Sequence, residues 1–293
     1  ANIALKENKF YLFINSLFEL MKPRVMSLVI FTCVVGMLIA PTQVNFINAA
    51  ISLIAVAIGA GAAGALNMWY EADLDALMKR TCLRPIPTGK VTKNQALIFG
   101  LSTSIFSILV LYIFSNLLSA LMLSITIFFY VVIYTMWLKK RTAQNIVIGG
   151  AAGAFPPIIG WTIATGSIEL EPIILFLIIF FWTPSHFWAL SLFKTEDYSN
   201  ANIPMLPVVS GIKTTKINIF IYSLILFAIS LMPVYFDYLG LIYLAPCVLL
   251  GSYYVYLCYK LLFTEENDKE ISRKIFLYSI LYLFLIFLII LID

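Results

Sequence analysis

Asn67, Glu71 and Asp75 step by four residues at the end of a long apolar run. On a continuing helix that step places all three on one face. The face then carries an amide and two carboxylates, and like charges at this spacing repel. A cation that neutralises them lets such a cluster persist. Oxygen donors without His or Cys favour a hard ion, Mg²⁺ rather than Zn²⁺. Mg²⁺ takes few protein ligands and fills its shell with water and phosphate oxygens. Arg80 and Arg84 follow within two turns, with Lys79 and Lys90 nearby. Guanidiniums grip phosphate. The pattern is that of a Mg-diphosphate site, with Asn67, Glu71 and Asp75 as its catalytic and metal-binding residues and Arg80, Arg84 and Lys90 as its substrate contacts. The plain alternative is a basic loop whose acids pair with its own arginines.

A second group lies farther along. The run Trp182-Thr183-Pro184-Ser185-His186-Phe187-Trp188 leads into Lys194-Thr195-Glu196-Asp197-Tyr198. Asp197 offers a second catalytic or metal-binding carboxylate, and Lys194 and Tyr198 are candidate substrate contacts. The other reading is a solvated loop start. His186 is the only histidine in the chain. It lies roughly 12 Å inside the apolar run from Lys194 at helical rise. It is either a packed, hydrogen-bonded side chain or an imidazole that orients a metal-bearing substrate. Asn145 is a candidate polar contact near the same face. Close by, Gly149 and Gly153 have the spacing that lets helices approach, and Pro156-Pro157 should kink the run they sit in.

The elements that must position these groups are membrane spans. Of the 293 residues, 62% are hydrophobic and 12% charged, about half the charge of an average soluble domain. The apolar residues form long runs rather than amphipathic stripes, which excludes a soluble fold. Nine spans are predicted, at 25–42, 47–69, 94–114, 117–138, 143–165, 172–193, 215–236, 238–261 and 274–292. All 19 lysines and arginines fall on the N-terminal segment and on alternate connections. That asymmetry places the N-terminus inside and the C-terminus outside, which requires an odd number of spans. Segment 1–20 is expected to lie at the inner interface. Residues 1–293 read as one transmembrane domain with catalytic loops at 67–93 and 194–214. Those loops end alike, Pro87-Thr88-Gly89-Lys90 against Val209-Ser210-Gly211-Ile212-Lys213, as a four-helix unit used twice would produce. No cleavable signal peptide is expected. The four cysteines show no CxxC spacing, and a net charge of +4 without a basic tail argues against nucleic acid.

Taken together, these segments resemble the UbiA-type intramembrane prenyltransferases. Those proteins have nine helices and an N-x-x-x-D-x-x-x-D motif on the loop after helix 2, matched here by Asn67, Glu71 and Asp75. Within them the chain is most similar to the branch that farnesylates heme. The resemblance rests on 67–81, 84–88, Gly149–Trp161, Trp182–Leu190 and Asp197–Gly211. Glu71 stands where the general motif has Asp. Ala201 stands where the wider family has a second Asp after Asp197, and Asn202 stands where Gly is usual. The resemblance implies farnesyl diphosphate and heme B as substrates, heme O as product and Mg²⁺ as cofactor. It implies a bacterial inner or mitochondrial inner membrane, with the loops on the cytoplasmic or matrix side, and leaves room for heme-handling partner proteins. His186 and the Ile203–Pro207 run favour heme over the aromatic acceptor, such as hydroxybenzoate, of related enzymes. An ion-coupled transporter is the reading from another class, but its site is expected near the midplane, whereas the charge here gathers at the inner mouth.

Overall fold

Among the described residues every regular element is helical, because runs of twenty apolar residues in lipid must satisfy their backbone groups internally. The computed structural model describes residues 2–200, 203–264 and 269–293. Ala201 and Asn202 lie outside the described residues. Helix α1 (Asn2–Leu20) meets α2 (Pro23–Leu38) at a bend of 55°. Helix α3 (Phe46–Tyr70) runs through a one-residue break into the short α4 (Ala72–Leu77). Next come α5 (Lys93–Phe114) and α6 (Leu117–Phe128), the latter continued by a π-helical segment, Phe129–Leu138. The span predicted at 143–165 is two helices, α7 (Asn145–Ala154) and α8 (Pro156–Thr165). They part at the proline pair, where backbone donors are missing.

The second half holds α9 (Leu170–Phe193), α10 (Thr195–Asn200), α11 (Leu206–Val209), α12 (Gly211–Ser230), α13 (Met232–Tyr235), α14 (Leu241–Leu262) and α15 (Lys269–Ile290). Eight helices among the described residues are long and apolar enough to cross a membrane, or nine if α1 and α2 form one bent span. The chain is therefore an integral, multi-pass membrane protein. The predicted span at 25–42 is shorter in the structure, ending at Leu38.

Two cores organise the spans. One joins α9, α12, α14 and α15 through Trp182, Trp188, Leu226, Tyr254, Tyr282 and Phe287. The other joins α3, α5, α6 and α8 through Val56, Leu111, Leu123 and Ile159. Helix α2 adds Val35 to the first and Cys33 to the second. Lipid is as apolar as these side chains, so close packing rather than water exclusion holds the spans together. The α2–α8 contact shows how. A Cβ at Gly160 would come 1.9 Å from the Cys33 carbonyl oxygen, and one at Gly36 would come 2.1 Å from that of Pro157. Backbone meets backbone there, so only glycine fits.

Two caps place the site. Thr92 and Gln95 form a reciprocal capping box that starts α5 and ends the first loop. Gly89 and Gly211 take φ of 73° and 80°, the left-handed turns that close the two loops with similar endings.

Candidate functional site

The break between α3 and α4 falls on Glu71, yet the helical ladder carries through it. The Glu71 amide donates to the Asn67 carbonyl at 3.0 Å, and the Asp75 amide to the Glu71 carbonyl at 2.8 Å. Asn67, Glu71 and Asp75 therefore stay on one face, and all three are buried, at 3%, 2% and 2% exposure. Charges taken this far out of water need partners.

Each of the three meets a different cation. Lys22, in the joint between α1 and α2, donates from Nζ to Asn67 Oδ1 at 2.6 Å. Its backbone is left-handed, with φ 54°, an uncommon conformation for a residue with a Cβ, and the joint turns the amine onto the end of α3. Lys139, just past the π-helical segment, lies 2.6 Å from Glu71 Oε1 and donates to Oε2 at 2.7 Å. Arg84 donates from Nη1 to both oxygens of Asp75, at 2.8 and 2.7 Å. The amide of Asn67 also donates to Thr135 Oγ1 at 3.1 Å, which fixes its orientation.

The first loop is folded to aim Arg84. Thr81 Oγ1 donates to the Asp75 carbonyl at 2.9 Å, the Arg84 amide donates to the Thr81 carbonyl, and Thr88 Oγ1 donates to the Arg84 carbonyl at 2.8 Å. Arg80 and Lys90 lie exposed on the same loop, free to turn toward an anion.

The second loop reaches the first through apolar contact. Tyr198 on α10 is buried with Leu74, Met78, Ile146, Ile203 and Met205, and Phe187 of α9 packs against this group. Asn145, at the start of α7, is fully buried. Its Nδ2 donates to the Thr142 carbonyl at 2.6 Å and to that of Pro204 at 3.5 Å, while its Oδ1 is buried without a donor. Asp197 is half-buried and Lys194 exposed. Among the described residues no three His, Cys, Asp or Glu side chains converge on one metal position. Glu71, Asp75 and Asp197 thus do not form a single three-carboxylate cluster.

His186 sits away from the acids, between α9 and α15. Its ring stacks on Trp182 at 4.2 Å and on Phe276 at 4.6 Å, and Nδ1 lies 2.6 Å from Ser279 Oγ. Ser279 Oγ gives its own proton to the Phe276 carbonyl at 2.7 Å. Its oxygen must then accept from Nδ1–H, which leaves the lone pair on Nε2.

Sequence reasoning missed Lys22, Lys139 and Thr135. The two lysines stood among the charges read only as a sign of sidedness, and no spacing in the chain ties either to Asn67 or Glu71. The donor set at the cluster suits a hard cation. It is oxygen alone, with the Glu71 and Asp75 carboxylates buried on one face. The surrounding ammonium and guanidinium groups suit an anion with several oxygens.

Residues 29–280 match the family model described as the UbiA prenyltransferase family. A protoheme IX farnesyltransferase of Pelagibacter ubique is 63% identical over 282 residues, covering 95% of this chain and 93% of the relative. One of Parvibaculum lavamentivorans is 51% identical over 278 residues, covering 94% and 87%. Among solved structures, a digeranylgeranylglyceryl phosphate synthase aligns with a TM-score of 0.79 at 16% identity, covering 96% of this chain and 98% of that one. A UbiA homologue from Archaeoglobus fulgidus bound to GPP and Mg²⁺ aligns with a TM-score of 0.65 at 15% identity, covering 94% and 99%. At such identities these two show a shared fold.

Proposed function

The chain belongs to the UbiA prenyltransferase family, and within it we propose that it moves the farnesyl group of farnesyl diphosphate onto a vinyl group of heme B, giving heme O and diphosphate. One observation carries the reading. Three buried oxygen donors on one helix face are met by three cations, each from a different element, at the inner mouth of an apolar bundle. That is a place for a diphosphate with its counter-ion, above a space for its apolar tail. The relatives named protoheme IX farnesyltransferase supply the acceptor.

In this mechanism Lys22, Lys139 and Arg84 change partners, from the protein's own oxygens to those of the diphosphate. Charge-assisted contacts of this kind stabilise the negative charge that grows on the leaving group. Arg80, Lys90 and Lys194 add exposed cations at the rim. Asn67, Glu71 and Asp75 would hold one Mg²⁺ and Asp197, across the mouth, a second; when bound, the metal supplies Lewis-acid stabilisation of the departing diphosphate. Tyr198 packs the second loop against the first, and Asn145 ties the second loop to the start of α7. His186 orients the acceptor. The C–O bond of the donor breaks, the allylic carbon bonds to the vinyl carbon, and water adds to the resulting cation with loss of a proton.

The whole chain acts as one transmembrane catalytic unit of nine spans. Its inner face, where the basic connections gather, is the cytoplasmic or matrix side. The test is direct. Purified protein is incubated with heme B, farnesyl diphosphate and Mg²⁺, and heme O is sought by mass. Heme O that depends on all three is the expected result. Its absence alongside prenylation of another acceptor would overturn the assignment of heme.

A further inference from the structure

Below the acid cluster, helix α7 has a face made of missing side chains. Gly149 points at the π-helical segment, where an added Cβ would lie 2.1 Å from the Tyr134 ring. Gly150 points at α9, where one would lie 2.9 Å from Thr183. At about 100° per residue, Gly153 projects about 40° round from Gly149, between those two directions. Ile148 lies about 100° from Gly149 on the other side, and it is the lipid-facing residue, 41% exposed. Gly153 therefore faces into the bundle, between the π-helical segment and α9. Yet nothing lies within 4 Å of a Cβ built there. Gly153 is exposed although its neighbours Ala152 and Ala154 are 5% and 0% exposed. An inward position with no neighbour marks an interior space.

The same side of α7 runs back to the site. Ile146, on the same side of α7, packs against Leu74 and Met78 beside Asp75. Gly153 lies about 10 Å deeper along the helix axis. The intervening wall includes Tyr130 and Tyr134, whose rings lie 5.6 Å apart, and Thr183.

We propose that Gly153 is a specificity-determining residue: by lacking a side chain it keeps open the groove that takes the distal part of the donor's isoprenoid chain. The inference rests on the diphosphate reading of the acid cluster and adds a depth limit to it. A branched side chain at Gly153 fills the groove and excludes a long chain. It spares a donor of one isoprene unit, which is too short to reach that depth.

The experiment compares Kd for farnesyl diphosphate and dimethylallyl diphosphate on wild-type and Gly153→Leu protein in lipid nanodiscs with Mg²⁺. Overfilling a fitted groove weakens farnesyl diphosphate about tenfold, while dimethylallyl diphosphate changes by less than about twofold. Equal loss for both donors, or no loss for either, would overturn the proposal. So would weakened heme binding with farnesyl diphosphate unchanged, because the space would then hold the acceptor. If the leucine protein is not monodisperse, Gly153→Ala decides, since alanine favours the helix and adds one methyl. A loss of about twofold confined to farnesyl diphosphate supports the groove, and equal affinities for the alanine and wild-type proteins refute it. A wild-type protein that binds neither diphosphate would overturn the functional reading and this proposal with it.

Discussion

Asp75→Asn keeps the side chain's volume and removes its charge. The carboxylate is 3% exposed and holds Arg84 at 2.7 Å, while Arg84 is 23% exposed. Removing one member of a fully buried pair costs about 3–5 kcal/mol, mainly because the other is left uncompensated. Water reaches part of the guanidinium, so the expected loss here is nearer ~2–3 kcal/mol. A protein with the usual ~5–15 kcal/mol of stability survives that and still inserts. Turnover should fall further, by about 10²–10³, as expected when a preorganised group that stabilises developing charge is lost. A double variant separates structure from chemistry. Replacing both Asp75 and Arg84 by alanine removes the unpaired charge, so the double variant should be more stable than Asp75→Ala alone. If the pair only braces a basic loop, Asp75→Ala/Arg84→Ala regains both stability and activity. If the pair acts on the substrate, stability returns in part and activity does not. The assay is heme O by mass in membranes, normalised to inserted protein, with thermal unfolding in detergent alongside. Normal heme O formation by Asp75→Asn, or recovered activity in the double variant, would refute the reasoning.

Three other outcomes are expected. Lys139→Gln leaves Glu71 without its cation and should raise the Kd for farnesyl diphosphate about tenfold, the scale of one charge-assisted contact; an unchanged Kd by titration counts against a role for Lys139. Gly160→Val drives a side chain into the Cys33 carbonyl and should lower stability by about 3 kcal/mol or more, seen as early unfolding or poor membrane accumulation, because backbone cannot yield cheaply. His186→Phe keeps the stack between Trp182 and Phe276 and loses only the Ser279 hydrogen bond, a cost of about 1 kcal/mol. Heme O should nevertheless fall sharply while binding of farnesyl diphosphate persists, and normal heme O from this variant would make His186 a packing residue.

Much of this protein is legible in one dimension because lipid simplifies the problem. Apolar runs long enough to cross, with the basic residues on the N-terminal segment and alternate connections, are enough to read a multi-pass helical protein from composition and order alone. The face shared by Asn67, Glu71 and Asp75 is legible too, since helical spacing is local and the ladder passes through the break at Glu71. The carboxylates' partners are less so. Arg84 could be expected from its place nine residues after Asp75. Lys22 and Lys139 could not, because they lie 45 and 68 residues from the groups they hold. Only the packing of α2 and the π-helical segment against α3 brings them there. The same holds for the π geometry itself and for the open space at Gly153. Its sequence spacing reads as a helix-packing motif, yet Gly149 packs and Gly153 does not. Spacing decides which residues of one helix share a face. What that face meets, another helix or an empty groove, depends on neighbours distant in the chain, and the tertiary structure decided it.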